Sequence, residues 1–153
     1  MKKKLDIHIE NLDKERIPFS KKIIRDIVFY LGDFFGIKRG EFNLYFINKR
    51  IIRNLNRVYL KRDCPTDVLV FDLGKKDNLL LEIFICTKVA RENAFLYKNS
   101  FKKEIILYII HGFLHALGFD DRDKENKKIM FDKQNTLLDL ISNYIRAKYK
   151  INL

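Results

Sequence analysis

The sequence predicts an α+β fold: a single domain over residues 1–153 in which a small mixed four-stranded sheet is packed by about five helices, with a buried, histidine-bearing helix at its centre. Three observations predict it. Short segments alternating apolar and polar residues, or wholly apolar, are interleaved with longer segments of helical period. The chain of 153 residues contains no repeat, low-complexity linker or composition break that would divide it. The run Phe101–Leu114 is apolar nearly all round, as a helix enclosed by other elements is.

In chain order, Leu5–Ile9 alternates as a half-buried strand does. Pro18 and Ser20 mark a helix start, and Ile23, Ile24, Ile27, Val28 and Leu31 share one face of a helix over residues 20–35. Gly36 and Gly40 bracket a turn into a second strand, residues 41–47, with Phe42, Leu44 and Phe46 on one side. A basic helix follows from about Lys49 to Tyr59, carrying Arg50, Arg53 and Arg57. Pro65 opens a third strand over residues 67–71, and the polar stretch 74–78 connects it to a fourth, residues 79–85, apolar enough to lie inside the sheet. Thr87 is positioned to cap a helix reaching Tyr97, and Ser100 to cap the apolar helix. A charged loop, residues 120–124, leads to a final amphipathic helix ending near Lys148.

Composition narrows the function. Hydrophobic residues make up 47% and charged residues 33%, a globular balance. No apolar run reaches the ~18 residues of a membrane span, and Asp6, His8 and Glu10 interrupt any signal-peptide core, so a cytoplasmic protein with no membrane partner is expected. Cys64 and Cys86 read as two reduced thiols rather than a disulfide framework. The net charge of +11 suits a phosphate-bearing partner, although a Lys-, Ile- and Asn-rich composition produces it without one; the cluster Lys49, Arg50, Arg53, Arg57, Lys61 and Arg62 is the more specific signal.

The densest chemistry lies in His111-Gly-Phe-Leu-His115-Ala-Leu-Gly118-Phe-Asp-Asp121. Residues i and i+4 share a helix face, so both imidazoles can reach one ion. Gly118 can adopt the left-handed conformation that ends a helix, letting the chain return Asp120 or Asp121 towards that ion. Three protein donors and an open fourth position are the pattern of a catalytic metal site. A lone histidine on an apolar helix is more often a hydrogen-bonded core residue; the pair, followed by Gly and Asp, reverses those odds. Position 112 is glycine where the zinc-protease helix carries its glutamate base, which disfavours peptide hydrolysis. His8 has no such context and reads as a strand surface residue.

This segment resembles the signature of the YbeY family of bacterial endoribonucleases and rRNA maturation factors, His-Gly-x-Leu-His-x-x-Gly-Tyr/Phe-Asp-His. It matches at His111, Gly112, Leu114, His115, Gly118, Phe119 and Asp120. The stretch Leu55-Asn-Arg-Val-Tyr-Leu-Lys-Arg-Asp-Cys-Pro-Thr-Asp-Val-Leu-Val-Phe71 is similar to a second family block, and Leu81-Glu-Ile-Phe-Ile-Cys86 to a third, in the family's order. The resemblance implies a metal-dependent, single-strand-specific endoribonuclease acting in rRNA maturation (16S rRNA 3′ end processing) and ribosome quality control, monomeric, with RNA and the ribosomal subunit as partners. It implies one Zn²⁺ per chain held by His111, His115 and Asp121, the last standing where the family has a third histidine. Asp120 would support a histidine, Asp123 is a fallback ligand, and Arg62 and Glu82 are candidate catalytic residues. Arg62 follows Leu60, which replaces the family's arginine; Val70 and Leu81 replace its serine and glycine.

A carboxylate ligand makes Mn²⁺ more acceptable. It also lowers the ion's Lewis acidity, so activity is expected to rise at higher pH than in three-histidine relatives, which a comparison of pH–rate profiles checks. Two other functions fit the residues: a ribosome-assembly or RNA-binding factor with weakened or lost nuclease activity, marked by subunit association without cleavage, and another metallohydrolase, separable by substrate screens.

Overall fold

The computed structural model describes residues 4–75 and 77–153. Lys76, in the predicted connection, and the basic Met1–Lys3 start lie outside the described residues. The order is β1 (Lys4–Asn11), α1 (Lys21–Phe34), β2 (Arg39–Ile47), α2 (Lys49–Leu60), β3 (Val68–Asp72), β4 (Leu79–Cys86), α3 (Thr87–Leu96), α4 (Phe101–Ala116) and α5 (Lys124–Tyr149). The sheet runs β1-β2-β4-β3. β1 and β4 flank β2 in parallel, whereas β3 joins β4 as an antiparallel hairpin and forms one edge. The sheet is therefore mixed, as the sequence predicts.

Strand alternation divides the molecule into two layers. Leu5, Ile7 and Ile9 of β1, Phe42, Leu44 and Phe46 of β2, and Leu81, Ile83 and Ile85 of β4 enter the main core with α1, α4 and α5. The opposite side chains, Tyr45, Ile47, Leu69, Phe71 and Phe84, pack with Ile52 and Leu55 of α2 in a smaller cluster. The histidine-bearing helix α4 lies on the first face, its Phe113 ring stacked 5.4 Å from that of Phe42. Gly112 allows the close approach: a Cβ there would stand 2.3 Å from Ile83 Cδ1.

The helix ends follow capping chemistry. Ser20 Oγ, Asn48 Oδ1, Ser100 Oγ and Asp123 Oδ1 each accept a first-turn N–H of α1, α2, α4 and α5. The cap predicted at Thr87 is corrected. Cys86 keeps the extended backbone of β4 and takes the cap position without a side-chain bond, so Thr87 is already helical and its hydroxyl is buried without a partner among the described residues. α4 ends as predicted at Gly118, φ +92°, with Phe119 N–H donating to Leu114 C=O (3.0 Å) and Gly118 N–H to His115 C=O (3.1 Å), the paired bonds of a Schellman motif.

The far end of α5 is tied to α1. Asp26 accepts bonds from Lys148 Nζ (2.8 Å) and the Tyr149 hydroxyl. Burial acts to raise the Asp26 carboxyl, but these two donors outweigh it and hold it below the ordinary carboxylate value. A depressed folded-state value stabilises the fold above the unfolded value and is lost as pH falls through the folded one. Asp26→Asn is expected to cost about 1 kcal/mol at neutral pH, and the cost should shrink as pH falls through the lowered Asp26 value, as urea unfolding followed from pH 7 into acid would register.

Candidate metal and nuclease site

The last two turns of α4 carry His111 and His115, both half-buried. Their helical spacing brings the two Nε2 atoms to 2.8 Å, with the rings nearly perpendicular at 77°. His111 Nδ1 lies 2.7 Å from Gln134 Oε1 on α5. An amide oxygen only accepts, so Nδ1 carries the proton and His111 Nε2 presents a lone pair towards His115. Burial, then the neighbouring His111, push the His115 imidazole below its ordinary value, which favours the neutral form a metal requires.

The histidines open into a cleft of about 320 Å³ floored by edge strand β3, lined by Leu60, Val68, Leu69, Val70, Asp72, His111 and His115. Two residues of the second motif block build this floor. Asn56 Nδ2 donates to Cys64 C=O at 2.9 Å, drawing the 61–65 loop onto α2. Asp67 accepts from Val68 N–H (2.8 Å) and Asn93 Nδ2 (3.3 Å), anchoring the start of β3 to α3.

The structure brings together two of the three predicted ligands, His111 and His115. A tetrahedral ion about 2.0–2.1 Å from each nitrogen holds them roughly 3.3 Å apart, so the histidines need open by only about half an ångström. Asp121 is exposed on the loop after α4. Its charge, like that of Asp120, reaches His115, but among the described residues no three His, Cys, Asp or Glu side chains converge on one point. Asp120 Oδ1 accepts from Arg122 N–H (3.2 Å) within its own loop, and Gln134 takes the histidine-supporting place that Asp120 was expected to fill. Asp123 caps α5.

The two candidate catalytic residues are not gathered at the histidines. Glu82 lies between Leu81 and Ile83, whose side chains face Gly112 of α4, so its own side chain points to the other face, in register with Asn43 and Phe71. There its charge helps, after burial, to raise the Tyr45 hydroxyl. Arg62 is exposed two residues beyond Leu60 and does not line the cleft. Of the positions replacing family residues, Leu60 and Val70 line the cleft, whereas Leu81 is fully buried in the core. His8 is exposed on β1, as expected, and Cys64 and Cys86 are both free thiols.

Sequence reasoning missed Gln134 and Asp72. Gln134 stands on a different helix with no motif around it. Asp72 ends β3 with Val68 and Val70 on its own side of the strand, so strand alternation carried the signal once Val70 was placed in the cleft. Gln134→Leu should leave the fold intact and lower metal affinity 10–100-fold, because His111 loses the acceptor that fixes its tautomer; titration of the two proteins with Zn²⁺ tests this.

The family model described as endoribonuclease YbeY matches residues 8–142. Curated proteins named endoribonuclease YbeY are similar: that of Thermotoga neapolitana is 40% identical over 106 residues, 69% of this chain and 70% of its own. That of Thermosipho melanesiensis is 41% identical over 98 residues, 63% and 70% of the two chains. A solution structure of a Thermotoga maritima protein superposes with a TM-score of 0.67 at 28% identity, covering 96% of both chains. The match takes in both histidines, the glutamine behind them and the strand flooring their cleft, and on that extent the chain belongs to the endoribonuclease YbeY family.

Proposed function

We propose that the chain is a metal-dependent endoribonuclease that cuts single-stranded RNA phosphodiesters in rRNA maturation, working as a cytoplasmic monomer on the ribosomal subunit. One observation carries the proposal: in a member of the endoribonuclease YbeY family, two imidazoles turn their Nε2 atoms towards a single point at the head of an open cleft. His111 and His115 would hold a divalent ion, Zn²⁺ with Mn²⁺ as the alternative, and Asp121 would complete the set by movement of its loop. The ion would supply Lewis acidity and water activation at neutral pH. Gln134 keeps His111 in the tautomer that offers Nε2. Val68 and Val70 give the cleft an apolar wall, which strengthens electrostatic contacts to a bound phosphate by lowering the local dielectric.

The test is cleavage of matched single-stranded and duplex RNAs by chelated and metal-resupplied protein. Cleavage of the single strand alone, lost with chelator and restored by Zn²⁺ or Mn²⁺, is expected; cutting that ignores chelator would overturn the metal assignment. Loss of bound metal in Asp121→Ala would support its place as third ligand.

A further inference from the structure

The basic face of α2 and the histidine cleft lie on opposite layers of the sheet and meet at its β3 edge. Positions 53, 57 and 60 fall within about 60° of one helical stripe. Leu60 lines the histidine cleft. Arg53 and Arg57, with Arg50, Asn54 and Asp63, line a separate surface groove on the same helix, beginning roughly 5 Å back from Leu60. Arg53 is held by Asp63 through two bonds, 2.9 and 3.3 Å, and Arg57 by Asn54 at 2.6 Å. These contacts preorganise two guanidinium groups along the groove. Three guanidinium groups against the single carboxylate of Asp63 leave it positive.

Tyr59 precedes Leu60 on α2 and lines neither the groove nor the cleft. The residue is 62% exposed, although it is aromatic and beside an apolar neighbour, Leu60, that is itself 51% exposed. The ring packs edge-on against Phe71 of the edge strand, with centroids 5.3 Å apart, so it is braced from one side and open on the other. A braced, open ring on the helix that carries those cations has the chemistry of a platform for one unpaired base of a strand whose phosphates the cations hold.

We propose that single-stranded RNA enters along α2, its phosphates on Arg50 and Arg57 and a base stacked on Tyr59, and turns over the β3 edge to reach the histidines. This rests on the nuclease reading above and adds the strand's path and the source of single-strand preference. A duplex cannot offer an unpaired base to Tyr59, so the platform selects by strandedness and the groove does not.

The test measures fluorescence anisotropy of a labelled single-stranded oligoribonucleotide and of its duplex on the full chain, with cleavage rates alongside. Tyr59→Leu should weaken single-strand binding about tenfold, leave duplex binding unchanged, and be rescued by Tyr59→Phe. Arg50→Gln with Arg57→Gln should weaken both and reduce the salt dependence of single-strand binding by about 1.4 in slope, 0.7 for each phosphate contact. Lys21→Gln with Arg25→Gln, on α1 in the other layer, removes the same charge and should leave that slope unchanged. If wild type binds and cleaves single strands but the α2 and α1 pairs behave alike, or Tyr59→Leu binds as wild type does, the path is wrong and the nuclease reading stands. If wild type neither binds nor cuts RNA, both fall.

Discussion

Replacing His115 with alanine is expected to abolish metal retention and to lower RNA cleavage on the order of a thousandfold or more. Changing a partner behind a metal-bound histidine typically costs 10–100-fold, and loss of the donor itself costs more. His115 is half-buried at the end of α4, so truncation leaves a solvent-connected space rather than a core cavity, and the protein should stay folded. His111→Ala should behave alike, except that it also leaves Gln134 Oε1 without its N–H donor. Elemental analysis of protein purified without chelator, with circular dichroism and cleavage rates on the same samples, checks all three quantities. A folded His115→Ala protein that retains metal and cuts RNA at the wild-type rate would remove the histidine pair from the mechanism.

Gly112→Glu, which would recreate the zinc-protease spacing, is expected to unfold the protein or cost at least about 4 kcal/mol, and to confer no peptidase activity. A Cβ at 112 meets Ile83 Cδ1 at 2.3 Å, Ile83 Cγ1 at 3.1 Å and Leu81 Cδ2 at 3.7 Å, and both neighbours are wholly buried. Overpacking a full core costs roughly 1–3 kcal/mol, and burying a carboxylate without a partner adds several more. The total approaches the whole stability of a small domain, about 5–15 kcal/mol. Gly112→Ala separates the terms, because its steric cost is offset by about 1 kcal/mol of helix propensity. A glutamate variant with the wild-type denaturant midpoint would show that α4 can lift from the sheet.

The same glycine shows what could be read from the chain beforehand. Its motif position signalled a missing base, and the structure adds a second reason for it, the tight seat of α4 on β4. Period and capping residues were sufficient for the four strands and five helices, because each element carries its own apolar spacing. The two histidines were legible for the same local reason: four residues along one helix fix their relation. Glu82 and Gln134 were not. Whether Glu82 faces the histidines depends on which side of the sheet α4 covers, and the partner of His111 depends on how α5 returns across it; no window of the sequence contains either distance. Arg62 and Asp121 sit in the loops that follow α2 and α4, where chain direction is set by the loop rather than by periodicity.

The strand order β1-β2-β4-β3 has a kinetic consequence. Among the described residues, the β3–β4 hairpin is the one strand pairing with no helix between its strands; both parallel pairings must close loops spanning at least one intervening helix. Local contacts form first because they incur the smallest loop-closure entropy. The floor of the histidine cleft therefore belongs to the early-forming part of the molecule. Its roof, α4 tethered to α5 by Gln134, needs the late, long-range docking of the C-terminal helices. During synthesis α5 must emerge before Gln134 can hold the His111 imidazole in place, so a nascent copy that lacks α5 lacks that support.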